Sequence, residues 1–166
     1  MVIGLNLCPF ARKEWVQKRV KMVVCEAETP SVLLDFLVEE CNWLSDHPEI
    51  ETTLIIHPWV LEDFLDYNQF LTDVDNALVD NEFEGVFQVA SFHPDYQFAG
   101  TEPTDVENAT NRSPYPVLHV LREESLEKAI AAYPHPELIP DRNIELLRSM
   151  GSERVEALLR SFREPS

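Results

Sequence analysis

The sequence predicts an α/β fold in which residues 1–166 form a single domain around one four-stranded, mostly parallel sheet flanked by helices. Short runs of branched and aromatic residues recur at 21–26, 52–56, 86–92 and 117–121, with the length and composition of strands. Between the first three runs, apolar residues recur at helical spacing. The alternation strand-helix-strand-helix-strand then calls for crossover connections, which leave the joined strands parallel.

Taken in order, residues 21–26 form the first strand after a short lead. Thr29 and Pro30 open a helix: threonine caps the first free amides and proline suits the first helical position. Leu33, Leu37, Cys41 and Leu44 follow on one face, and His47-Pro48 ends the helix. Residues 52–56 are almost continuously apolar, which predicts burial on both faces, and the run stops at His57-Pro58. Leu61, Phe64, Leu65, Asn68, Leu71, Val74 and Leu78 trace the inner face of a long helix, with Glu62, Asp63, Asp66 and Asp73 toward solvent. Gly85 leads into the third strand, which ends at His93-Pro94. Residues 94–116, rich in Pro, Asn, Thr and Asp, make a loop of a length that is usually functional or disordered. The fourth strand, 117–121, has antiparallel pairing open to it after so long a loop. A short helix at 125–133 and three prolines lead to a helical tail, broken at Gly151 and resumed through Val155, Leu158 and Leu159.

Composition narrows the function. A chain of 166 residues, 45% hydrophobic, is long enough for one core. Its formal charge of −17 repels phosphate backbones and anionic lipid, which argues against nucleic-acid and membrane partners. The three cysteines, Cys8, Cys25 and Cys41, are odd in number and lack C-x-x-C spacing, which fits a reducing compartment. The apolar start, residues 1–5, is too short for a signal segment, and no run reaches the roughly 18 apolar residues of a membrane span. The expected location is the cytoplasm, where the sequons at Asn108 and Asn111 carry no glycosylation meaning.

Residues 2–11 (VIGLNLCPFA), 87–100 (FQVASFHPDYQFAG) and 110–116 (TNRSPYP), in that order, together resemble a bacterial family of uncharacterised proteins, domain of unknown function family 1415. The likeness spans almost the whole chain and implies no reaction, cofactor or catalytic residue. It does imply a chain shortened at its start, since the family carries a further helical stretch before residues 2–4.

The chemistry-bearing residues gather, by topology, at one place. If the second and third strands are parallel, His57 and His93 both leave the carboxyl edge of the sheet, where open α/β folds bind ligands. In the leading reading the chain is a small-molecule enzyme, a hydrolase or a thiol- or metal-assisted transferase. His57 or His93 acts as general base, Asp95 orients it, and Arg112 takes an anionic part of the substrate. Tyr96, Asn108, Asn111 and Tyr115 supply further substrate contacts from the loop. His57, His93 and His119, with Asp95, are a candidate zinc or iron set. Each also has a plain structural reading: histidine before proline serves a turn, His119 is a core imidazole, and the loop's Asn, Ser and Thr cap turns. His47 and His135 read as turn residues, and Trp15, Trp43 and Trp59 as packing.

Cys8-Pro9 is a candidate helix N-cap, where free amides would favour thiolate; the alternative is a buried apolar thiol. Two other functions stay open. One is a non-enzymatic protein-binding module using the 94–116 loop with Tyr96, Phe98 and Tyr115; the other is a thiol redox protein centred on Cys8.

Overall fold

The structure, a computed structural model, describes residues 1–162. Strands β1 (Val20–Val24), β2 (Thr52–Ile56), β3 (Phe87–Phe92) and β4 (Val117–Arg122) form one sheet in the order β1-β2-β4-β3. β1 and β2 pair in parallel, whereas β4 is antiparallel to both β2 and β3. The sheet is therefore mixed and mostly antiparallel, which corrects the mostly parallel arrangement expected from the alternation of elements. The cause is the long loop. It turns the chain back at the edge where β3 ended, and β4 then slots between β2 and β3, pairing along both its sides. β2 and β3 still share a direction, because both oppose β4.

Helix α1 (Ala11–Val16) precedes the sheet, and α2 (Pro30–Asp46) and α3 (Phe64–Asp80) follow β1 and β2. Thr29 caps α2 by accepting the Val32 N–H at 3.4 Å, with Pro30 at the first helical position, as the sequence predicts. Leu33, Leu37, Cys41 and Leu44 form its fully buried face. The Lys21 ammonium donates to both Glu40 oxygens, at 2.9 and 2.7 Å, and lies 3.6 Å over the Trp43 ring, so the stem of α2 is tied to β1. α3 starts later and is rotated relative to the expected stripe. Asp63 caps it by accepting from Leu65 and Asp66 N–H, and its buried residues are Tyr67, Phe70, Val74, Ala77 and Leu78. Leu65 and Asn68 face solvent instead. Both stripes have helical spacing, and the one carrying two large aromatic rings buries more apolar area.

α4 (Glu123–Ala132), α5 (Ile139–Met150) and α6 (Ser152–Ser161) follow β4, the last two separated at Gly151, whose φ of 80° suits glycine. The main core joins Ile55, Phe87, Leu118 and Val120 of the sheet to the inner faces of α2 and α3. Side chains alternate along a strand, so Leu54, Ile56, His119 and Leu121 lie on the opposite face, where they are half-buried. β2 is thus fully buried on one face only, not on both. A smaller core packs Ala109, Leu147 and Val155 with Met1, Leu5 and Val106, fastening the N-terminal segment, α5 and α6 onto the long loop. Arg122 donates to the carbonyls of Leu44, His47 and Ile50, which satisfies the open C-terminal end of α2. No described helix is long and apolar enough to cross a membrane.

Candidate functional site at the carboxyl edge

Because β2 and β3 end opposite the first residue of β4, Ile56 and Phe92 both face Val117, and the next residues, His57 and His93, emerge at one edge. The expectation that these two histidines leave the same edge holds. Backbone bonds seat both: the His57 N–H donates to Pro116 O at 3.1 Å and the His93 N–H to Asn111 O at 3.2 Å. Tyr67 of α3 packs against both rings, with centroids 5.8 Å from His57 and 5.1 Å from His93. Its hydroxyl donates to Val117 O at 2.8 Å and accepts the Phe92 N–H at 3.2 Å. Tyr67 was invisible in the expected stripe, which ran through Asn68; its signal was a place at i+3 between Phe64 and Phe70.

Both histidines are fully buried. A carbonyl can only accept, so the His57 Nδ1 that lies 3.0 Å from Val60 O carries the proton. Its Nε2 is then a buried lone pair with no partner among the described residues. Desolvation lowers its pKa to about 4, opposed by the Val60 bond and reinforced by nearby His93. His93 adopts the other tautomer: Nε2–H donates to Leu61 O at 3.2 Å, and Nδ1 accepts the Asp95 N–H at 3.0 Å. Burial lowers its pKa as well. Both of its ring nitrogens therefore hold backbone. Asp95 meets His93 through its amide, and its side chain is exposed, so the carboxylate does not orient the ring. Leu61, whose carbonyl His93 holds, sits at φ 58°, a left-handed conformation unfavourable for a leucine.

The loop residues expected to contact substrate mostly build the loop. Asn108 is fully buried; its Oδ1 accepts from Phe98 N–H and Thr101 Oγ1, and its Nδ2 donates to Glu102 O. Asn111 Nδ2 donates to Ser91 O, fastening the loop to β3. Arg112 ties two arms of the loop, Nε to Tyr96 O at 3.2 Å and Nη2 to Pro103 O at 2.7 Å. An anion bound there would compete with those bonds. Tyr96 is wedged between Phe64 and Phe98, with centroids 5.3 and 5.0 Å away. Asn108→Ala is expected to cost about 2–3 kcal/mol by stranding the Phe98 amide and the Glu102 carbonyl. Urea unfolding measures the loss, and faster amide exchange confined to residues 96–110 locates it.

His119 stands apart from the other two. It lies on the sheet face opposite α2 and α3, beside Phe92 at 6.1 Å, and burial lowers its pKa to about 4. The residue is half-buried, and its Nε2 is enclosed without a partner among the described residues. The sheet thus separates it from Tyr67 and the histidines of the edge. Among the described residues, no three His, Cys, Asp or Glu side chains are grouped to hold a metal ion. The expected set of His57, His93 and His119 with Asp95 is therefore not brought together. Cys8 is half-buried and is not a cap: the N-cap of α1 is Phe10, two residues on, and the helix has six residues. Cys25 and Cys41 are buried, and desolvation pushes the Cys41 thiol to about 12.

Large apolar side chains stand on the exterior of this edge, among exposed carboxylates. Val24 at the end of β1, Val32 and Leu65 in the first turns of α2 and α3, Trp59 after β2 and Tyr115 before β4 are each 51–67% exposed. Trp59 was expected as a packing residue and is instead a surface residue. Two open grooves lie along α2 and α3, and no histidine lines either of them.

A family model described as Protein of unknown function (DUF1415) matches residues 1–157, and the chain belongs to that family. No curated protein and no solved structure matches it.

Proposed function

We propose that this member of the DUF1415 family is a protein-binding module whose docking surface is the carboxyl edge of the sheet. The observation that carries the reading is a contrast at one edge. The histidines are sealed inside and hold loop backbone, while large apolar side chains, Trp59, Leu65 and Tyr115, stand outside. An enzyme pocket calls for convergent reactive groups in a cleft, and a docking surface calls for exposed aromatic anchors on a rigid frame. The second description fits better. The partner's chemistry follows from charge. Glu26, Glu28, Glu62, Asp63, Asp66 and Asp95 are exposed at this edge, and Arg112 is the one cation in its connecting segments, 25–29, 57–63 and 94–116. A segment with apolar anchors flanked by Lys or Arg is complementary. One observation favours a small-molecule site as a second reading: the unpartnered Nε2 of His57, an acceptor that a ligand's donor would satisfy.

Photo-crosslinking tests the docking reading. Benzoylphenylalanine in place of Trp59 or Tyr115, in the full chain expressed in its native cells, is expected to yield protein adducts rich in Lys or Arg at the crosslinked segment. The same group in place of exposed Glu127 should yield none. Equal labelling at all three positions, or no protein adduct, would count against the reading. Trp59→Ala should abolish the adducts formed from position 115 while changing stability by less than about 0.5 kcal/mol, because Trp59 is half exposed.

A further inference from the structure

The solvent side of the α2–α3 pair carries a second feature, which meets the edge at Asp66. α2 and α3 each follow a strand of the same direction, so both start at the carboxyl edge. Between them lies a groove of about 590 Å³ with an apolar floor of Leu34, Val38 and Ala77. Its rim is Asp35 and Glu39 on α2 and Asp73 and Asp80 on α3. A second hollow of about 480 Å³, walled by Pro30, Leu61, Asp66 and Phe70, adjoins the first at Asp73 on the side toward the carboxyl edge. The stretch of α3 that lines the two hollows, Asp66 to Asn81, spans roughly 22 Å at the helical rise.

Charge runs along the same line. Asp66, Asp73 and Asp80 recur at seven-residue intervals, which keeps them on one stripe of α3. Asp35 and Glu39 are four apart on α2, one turn from each other. Among the described residues none of these five carboxylates is in an ion pair. An extended peptide would find little backbone pairing there, since the lining offers only the side-chain amides of Gln69, Asn76 and Asn81. A helix satisfies its own backbone, and one of about 14 residues fills the length. We infer that the α2–α3 groove docks an amphipathic helix of a partner protein, with an apolar stripe on Leu34, Val38 and Ala77 and Lys or Arg toward the five carboxylates.

The test uses the full chain and a fluorescein-labelled helical peptide of about 14 residues, built from Leu on one stripe and Lys on its flanks, with binding followed by anisotropy. Binding is expected to weaken with added salt and to shift the NMR signals of Leu34, Val38 and Ala77. Glu39→Lys with Asp73→Lys, both exposed positions, should weaken it about tenfold or more. Glu127→Lys with Glu153→Lys makes the same charge change elsewhere and should leave affinity within about threefold. Trp59→Ala should leave it unchanged, which separates this groove from the edge. Absence of binding, equal weakening by the two double variants, or displacement by spermine with no shift at Leu34 and Val38 would overturn the inference.

Discussion

Lowering the pH from about 6.5 to about 4 is expected to remove several kcal/mol of stability through two desolvated imidazoles, one buried and one half-buried. His57 and His119 each have a folded-state pKa of about 4, lowered by desolvation, against roughly 6.5 in an unfolded chain. Above the unfolded value both states are neutral and no penalty applies. Between the two values the unfolded chain takes a proton that the folded chain refuses, so stability falls as pH falls. The loss is complete below the folded value. Each ring contributes about 3 kcal/mol across that window, and the pair together is a large share of a typical domain's 5–15 kcal/mol. His93 is shifted in the same direction and adds to the slope. Protonating carboxylates relieves the repulsion of a −17 chain and acts the other way, chiefly below about pH 5, so the interval above that pH isolates the histidines. Urea midpoints across this range should fall steeply for the native chain. His119→Leu should flatten the slope by up to about 1.4 kcal/mol per pH unit. A midpoint independent of pH above about pH 5 would refute this assignment.

The second large effect is expected from Tyr67→Phe. The substitution keeps the ring between His57 and His93 and removes one oxygen, which now joins Val117 O to the Phe92 N–H. Those two groups are the first residue of β4 and the last of β3, so the hydroxyl pins the end of the β3–β4 pair to α3. Stranding both is expected to cost about 2–4 kcal/mol. The Phe92 amide should lose most of its protection against hydrogen exchange, while the amides of β1 keep theirs. A loss below about 0.5 kcal/mol would mean that water replaces the hydroxyl and that the edge is wetter than the packing implies.

Local signals carried much of the fold. Thr29-Pro30 marked the start of α2, its inner face of Leu33, Leu37, Cys41 and Leu44 was legible in full, and Gly151 marked the break between α5 and α6. These are matters of capping and period, decided within a few residues. Pairing was less legible. Strand runs show where strands are and say little about neighbours, so the slot that β4 takes between β2 and β3 depends on how the 94–116 loop returns. The phase of α3 failed for a related reason: two apolar stripes compete in residues 61–78, and only the core decides between Leu65 and Tyr67. At the site, His57 and His93 were correctly brought to one edge. Their hydrogen bonds run to carbonyls of Val60 and Leu61, and backbone partners leave no mark in residue identity. Asn108 and Arg112 look the same in sequence whether they grip a ligand or a loop.

Long-range ¹H–¹⁵N NMR of the imidazole rings separates a fixed-frame role for His57 and His93 from a reacting one. His57 is expected to be protonated on Nδ1 and His93 on Nε2, each in a single tautomer, with His57 neutral from about pH 8 to about pH 5 and His93 titrating below the ordinary histidine value because it is buried. A ring at position 57 or 93 that titrates near its ordinary value, or that exchanges between tautomers, would contradict the account and return the edge to the enzyme reading.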